Sequence, residues 1–229
     1  MRVSIIQSAY VPWRGFFDLI GRCDFYVIYD SAAFSKGHWH NRNRIRRKRG
    51  AYWLTIPVST AGRLGQPIDE VTVAAPWAKR HWDIIRESYA DTPGFAKESP
   101  WVENLYAQVE NEAHLSRINE VFLRALAARL GLRVQILRDR TLGLVGNRVE
   151  RLVSLCQAVG ANVYLSGPAA KEYLDETPFA KAGISVEWMS YGPYAPYEQP
   201  HEGFDGLVSV LDMIFCTGSE ATKFIRPLE

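Results

Sequence analysis

The residues with the strongest chemical content lie between Lys36 and Arg49, in KGHWHNRNRIRRKR. Seven cations fall in these fourteen residues: Lys36, Arg42, Arg44, Arg46, Arg47, Lys48 and Arg49. No Asp or Glu occurs between Asp30 and Asp69. Such a cluster suits a phosphate, a pyrophosphate or an acidic sugar, because guanidinium binds these bidentately and stays charged. Arg46 to Arg49 form a bare charge run, which predicts a solvated strand edge. Lys36 to Arg44 differs, because Trp39, Asn41 and Asn43 interleave the charges. Asn carries both donor and acceptor, more than a solubilising surface needs. If the stretch is extended, Trp39, Asn41 and Asn43 share one face and Arg42 and Arg44 the other. One face would grip a ligand while the other anchors the loop. Replacing Asn41, Arg42 or Asn43 is then expected to cost activity rather than stability.

His38 and His40 form an H-x-H pair. With no third ligand nearby, a general base is the preferred reading over a metal site, because imidazole titrates near neutrality. His201, in the polar loop YEQPHEGF, is a further candidate, balanced by the plain reading of a surface histidine. Asp30 closes an apolar run and is either a base or a turn cap. Gln7, Tyr10 and Trp13 follow the first apolar run, where open α/β sheets bind ligands. Ser166 and Gly167 end another such run and would offer backbone N–H groups to an anion. Neither GxGxxG nor GxxxxGK[ST] is present, so no dinucleotide or P-loop site is expected, nor any cofactor. Cys23, Cys156 and Cys216 are widely spaced and read as buried thiols of a reducing compartment.

These residues need elements to position them. Runs such as VSII, FYVIYD, AYWLTIPV, RVQIL, VYLS and ISVEWM are rich in β-branched and aromatic residues and predict strands. Between them lie helical patterns: FFDLIGR, Trp77 to Tyr89, Glu98 to Val109, Leu115 to Leu130, Asn147 to Val159, Ala169 to Leu174 and Leu207 to Phe215. Leu115, Ile118, Phe122, Leu126 and Leu130 recur at helical spacing, with Gly131 as the stop. Alternation along the whole chain predicts a single three-layer, Rossmann-like α/β domain over residues 1–229 with a mostly parallel sheet. The helical segment 76–131 would cover one face or cap the site. The net charge is +2 over 229 residues, so anion binding has to be local. The N-terminus lacks a signal-peptide pattern and no run reaches the roughly 20 apolar residues of a membrane span, so a cytoplasmic protein is expected.

Four stretches together resemble the WbqC-like family: IIQSAYVPWRGFFDLIGRCDFYVIYD, FSKGHWHNRNRIR, YLSGPAAKEYLDETPFAKAGISVEW and GLVSVLDMIFCTG. The Trp-x-Asn-Arg-Asn-Arg-Ile core is intact at Trp39 to Ile45. Ser8 stands where the family usually has proline, and Ala32, Ala33, Gly37 and His38 also depart from its pattern. The resemblance implies a setting in surface polysaccharide, modified-sugar or specialised-metabolite biosynthesis. A transferase of an acyl or aminoacyl group onto an amine is the leading expectation, with a small anionic substrate and an acidic acyl or peptidyl carrier protein as a partner. Two alternatives stay open. One is a nucleotidyltransferase-like enzyme, against which the missing HxGH-type signature counts. The other is a non-enzymatic module that binds a carrier protein or nucleic acid, the latter weakened by the near-neutral charge.

Overall fold

The computed structural model describes residues 1–60, 62–143, 146 and 148–226. Its centre is a five-stranded, all-parallel sheet. The strands are β1 (Arg2–Ile6), β2 (Phe25–Ile28), and, later in the chain, β7 (Gln135–Arg138), β8 (Val163–Ser166) and β9 (Ser185–Trp188). Their spatial order is β7-β2-β1-β8-β9. The chain therefore winds outward from β1 in one direction, then returns to the other side of β1. This is the doubly wound pattern, with its switch point between β1 and β8.

Parallel sheets need cover on both faces, and the strand sequences show it. Val3, Ile5 and Val27 point into one core, with Val153, Leu155 and Cys156 of α5 (Arg148–Ala158) and Phe179 of α6 (Thr177–Lys181). Tyr26, Ile28 and Leu165 point into the other. That larger core takes Phe17, Leu19 and Ile20 from α1 (Arg14–Gly21), and Ile85 and Tyr89 from α2 (Ala78–Tyr89). It also takes Val102 and Tyr106 from α3 (Phe95–Gln108), and Leu211, Ile214 and Phe215 from α7 (Val210–Thr217). The expected helical middle thus packs into the main core. Helix α4 (Leu115–Arg129) follows its apolar spacing, with Leu115, Ile118, Phe122 and Leu126 wholly buried. Burial of one such side chain stabilises by about 1.5–3 kcal/mol. Gly94 lets α3 begin against the end of α7, since a Cβ there would sit 2.7 Å from the Phe215 carbonyl oxygen.

The basic stretch becomes β3 (Arg42–Arg47), an antiparallel hairpin with β4 (Gly50–Thr55). A second small ladder joins β5 (Val58–Ser59) to β6 (Thr72–Val73), so the expected run from Ala51 to Val58 is divided at Ile56 and Pro57. The expected helix at Ala169 to Leu174 is a 3-10 turn over Pro168–Glu172. The expected start at Asn147 lies outside the described residues. Among those described, no helix is long and apolar enough to cross a membrane. The three cysteines are free and buried, and burial pushes Cys23 and Cys156 up to about 12.

Candidate functional site

A cavity of about 420 Å³ opens beyond the carboxyl end of β1. Its apolar walls are Ile6, Ala9, Pro12, Trp13, Phe16 and Leu207, and its polar groups come from Gln7, Ser8, His38, His40, Asn43 and Arg44. An apolar pocket with a few convergent polar groups at a strand end is the general form of a small-molecule site.

The cavity exists because two loops are tied together. The turn preceding β3 lies against the loop between β1 and α1, where the Tyr10 N–H donates to the Trp39 carbonyl at 3.0 Å. Asn43 completes the join. Its Nδ2 donates to the carbonyls of Tyr10 (3.0 Å) and Val11 (2.8 Å), and its Oδ1 accepts from the Arg44 N–H (2.8 Å). Val11 has φ 37°, a left-handed conformation that is strained for a β-branched residue by about 1–3 kcal/mol. Asn43 braces that strained turn, and Pro12 and Trp13 leave it as cavity wall.

His40 is buried and stacks on His38, with ring centroids 6.1 Å apart at 19°. Its Nδ1 lies 3.1 Å from the Ser8 carbonyl oxygen. A carbonyl only accepts, so Nδ1 carries the proton and Nε2 is the bare nitrogen. Burial pushes the imidazole below its ordinary value, the Ser8 carbonyl opposes this, and nearby His38 adds to the lowering. At neutral pH His40 is therefore a neutral base of fixed tautomer on the cavity wall.

Beneath it lies a buried polar network. Asp30 accepts from the Ser8 N–H (2.8 Å), the Ser8 hydroxyl (2.7 Å) and the Ser116 hydroxyl. Asn119 Nδ2 donates to the Ser8 hydroxyl and to the His40 carbonyl, each at 2.9 Å. Burial raises the Asp30 carboxyl despite the hydroxyls and amide that favour its charged form. Asp30 supports Ser8 from behind and does not line the cavity. Sequence reasoning missed Asn119 and Ser116. The available signal was two polar residues on the apolar stripe of α4.

The remaining candidates separate. Gln7, Trp13, His38, Trp39, His40, Asn43 and Arg44 line the main cavity. Lys36, Asn41 and Arg42 line a second one, beside β4 and β5. Tyr10 is in the core, its hydroxyl between His81 Nδ1 (2.9 Å) and the Tyr106 hydroxyl (2.6 Å). Ser166, Gly167 and His201 line neither cavity. Asn41 is a buried brace like Asn43, donating to the Ile56 carbonyl at 2.8 Å. The alternation expected through Trp39 fails because residues 36–40 are turn and β3 starts at Arg42. Trp39 therefore joins the arginine face, its ring 5.3 Å from Trp53, which carries Arg42 stacked at 3.5 Å.

Arg46 was expected to be solvated, and the structure overturns this. It is buried, and its guanidinium donates to the carbonyls of Glu202 and Gly203. Arg14 donates to the Ala195 carbonyl (2.7 Å) and faces the rings of Tyr194, Tyr197 and Phe204. Asp212 accepts from the hydroxyls of Tyr89 (2.8 Å) and Tyr197 (2.7 Å) and from Gln199 Nε2 (2.7 Å). These residues bind the loop 191–206 to the body next to Leu207. Among the described residues no group of three or more His, Cys, Asp or Glu side chains is placed to hold a metal.

The WbqC-like protein family matches residues 7–224. An uncharacterized protein of Mycobacterium tuberculosis, Rv1507c, is 38% identical over 226 residues, covering 98% of this chain and 97% of its own. No solved structure matches.

Proposed function

The chain belongs to the WbqC-like protein family, and on that premise we propose that it transfers an acyl or aminoacyl group to an amine acceptor. The acceptor class is an amino sugar or a specialised-metabolite precursor. The observation that carries the reading is His40: a buried, neutral imidazole whose Nδ1–H is held by the Ser8 carbonyl, on the wall of an otherwise largely apolar cavity. Proton transfer by such a group contributes about 10²–10⁴ to rate.

In this mechanism the acceptor nitrogen attacks the acyl carbon of a thioester donor. As the C–N bond forms, the nitrogen's proton passes to His40 Nε2 and the carbonyl electron pair moves to oxygen. Arg44, at the cavity edge, stabilises that oxyanion or orients the substrate's anionic group. Collapse breaks the C–S bond, and the departing thiolate takes the proton back from His40. Amide and thiol are the products. An acidic carrier protein would meet the exposed Trp39 and Trp53 beside Arg44 at the cavity mouth.

A thermal-shift screen against acyl-CoAs, an aminoacylated carrier protein, sugar nucleotides and nucleotides is the first test. A ligand at a hundredfold its Kd stabilises by about 2.7 kcal/mol. With a productive pair in hand, His40→Gln should cut turnover by at least about a hundredfold. Full turnover in that variant removes His40 from the chemistry. Response to ATP alone, with release of pyrophosphate, would replace acyl transfer by nucleotidyl transfer.

The exposed Trp39–Trp53 pair flanked by arginines also favours a second reading, a stacking platform for single-stranded nucleic acid. Binding to oligonucleotides that falls steeply with salt would support it.

A further inference from the structure

The turn around residues 36–41 separates two cavities, and only one of them enters the mechanism above. The second, of about 620 Å³, has Phe34, Ile56 and Pro57 among its apolar lining and Lys36 and Arg42 as its cations. Ser59 and Thr60 add hydroxyls.

Arg42 is not arranged as a solvated surface arginine. Its guanidinium lies flat on the Trp53 indole, 3.5 Å from the ring centroid. Its Nε is buried and has no hydrogen-bond partner. Among the described residues neither Arg42 nor Lys36 enters an ion pair. The neighbouring Arg47 contrasts with both, since it pairs with Glu87 at 2.6 Å. Stacking removes much of the guanidinium's rotamer freedom before any ligand arrives, so less is lost when its fork binds an anion. A carboxylate would neutralise one of the two cations. A phosphate carries up to two charges and three acceptor oxygens, and matches both cations together with the hydroxyls.

We propose that this second cavity is a phosphate subsite, holding the phosphorylated end of a ligand distinct from the one in the His40 cavity, with the ligand's apolar part against Phe34, Ile56 and Pro57. The assignment does not depend on acyl transfer. It stands or falls on where an anion binds.

The test is calorimetric titration of the full chain with inorganic pyrophosphate at low ionic strength. Wild type should bind. Arg42→Gln and Lys36→Gln should each weaken binding about tenfold or more, the scale of a lost hydrogen bond to a charged group. Arg44→Gln alters the other cavity and should leave affinity within about twofold. Arg42→Lys keeps the charge without the planar fork and should fall between wild type and Arg42→Gln. It also replaces Arg42→Gln if that variant fails to fold. No binding by wild type overturns the proposal. So does a larger loss in Arg44→Gln than in Lys36→Gln and the Arg42 variants, which would move the anion to the His40 cavity.

Discussion

Replacing Asn43 by alanine should unfold the join on which the main cavity depends. The side chain is 3% exposed and makes three hydrogen bonds, two donated to Tyr10 and Val11 and one accepted from Arg44. Truncation leaves two carbonyls and one N–H short of a partner. Each buried group so orphaned costs about 1–3 kcal/mol. Water from the adjoining cavity can reach this corner, so the lower value applies and the sum is about 3 kcal/mol. For a chain of this length that corresponds to a fall in Tm of roughly 6–12 °C. Relaxation of the left-handed Val11 backbone once the brace is gone offsets part of this loss while moving the Pro12 and Trp13 wall of the cavity. Circular-dichroism melts and urea titrations of wild type, Asn43→Ala and Asn43→Asp measure this. Asp keeps the acceptor for the Arg44 N–H but sets a second oxygen against two carbonyl oxygens, so it should be at least as damaging as Ala. A shift of less than about 2 °C in Asn43→Ala would refute the bracing role. Wild-type stability in Asn43→Asp would show that donation to the Tyr10 and Val11 carbonyls contributes nothing to stability.

Two further outcomes follow from buried groups away from the cavity. Burial lowers His81 to about 4 from an ordinary 6.5. The unfolded chain then takes up this proton at a higher pH than the native one, so the contribution is present above pH 6.5 and lost as pH falls through about 4. The loss integrates to about 3 kcal/mol, and the stability difference between wild type and His81→Gln, followed by denaturant titration from pH 7 to 4, should shrink by that amount. Asp212→Asn sets an NH₂ group among donors from Tyr89, Tyr197 and Gln199. It should destabilise by about 2 kcal/mol and speed proteolysis within residues 191–206. Unchanged cleavage there would mean that Asp212 does not hold the loop.

The scaffold was legible because its signals are local. β-branched runs marked β1, β2, β8 and β9, and helical spacing marked α4 almost to the residue. Alternation of the two implied a parallel sheet, and the parallel sheet pointed to the end of β1, where the candidate cavity opens. The site was legible only in outline, because its partners come from far along the chain. Asn43 looked like a ligand contact, and its partners at Tyr10 and Val11 lie more than thirty residues away. Tyr10 looked like a pocket residue, and its hydroxyl is held by His81 and Tyr106. Trp39 leaves the face of Asn41 and Asn43 because the extended conformation on which that alternation depends starts only at Arg42. Arg46 read as a solvated charge because nothing near it in sequence shows that Glu202 and Gly203 offer it their carbonyls.

The position of β1 has a consequence for synthesis. It is the central strand, hydrogen-bonded to β2 on one edge and to β8 on the other. The first edge finds its partner almost at once. The second has to wait until Val163 leaves the ribosome, about 135 residues after β2 is complete. At about 5–20 residues per second, that edge, flanked by Val3 and Ile5, is open for roughly 7–27 s. Nascent chains arrested before residue 163 should therefore be the aggregation-prone species, and holdase chaperones should associate with them until β8 emerges and covers the edge.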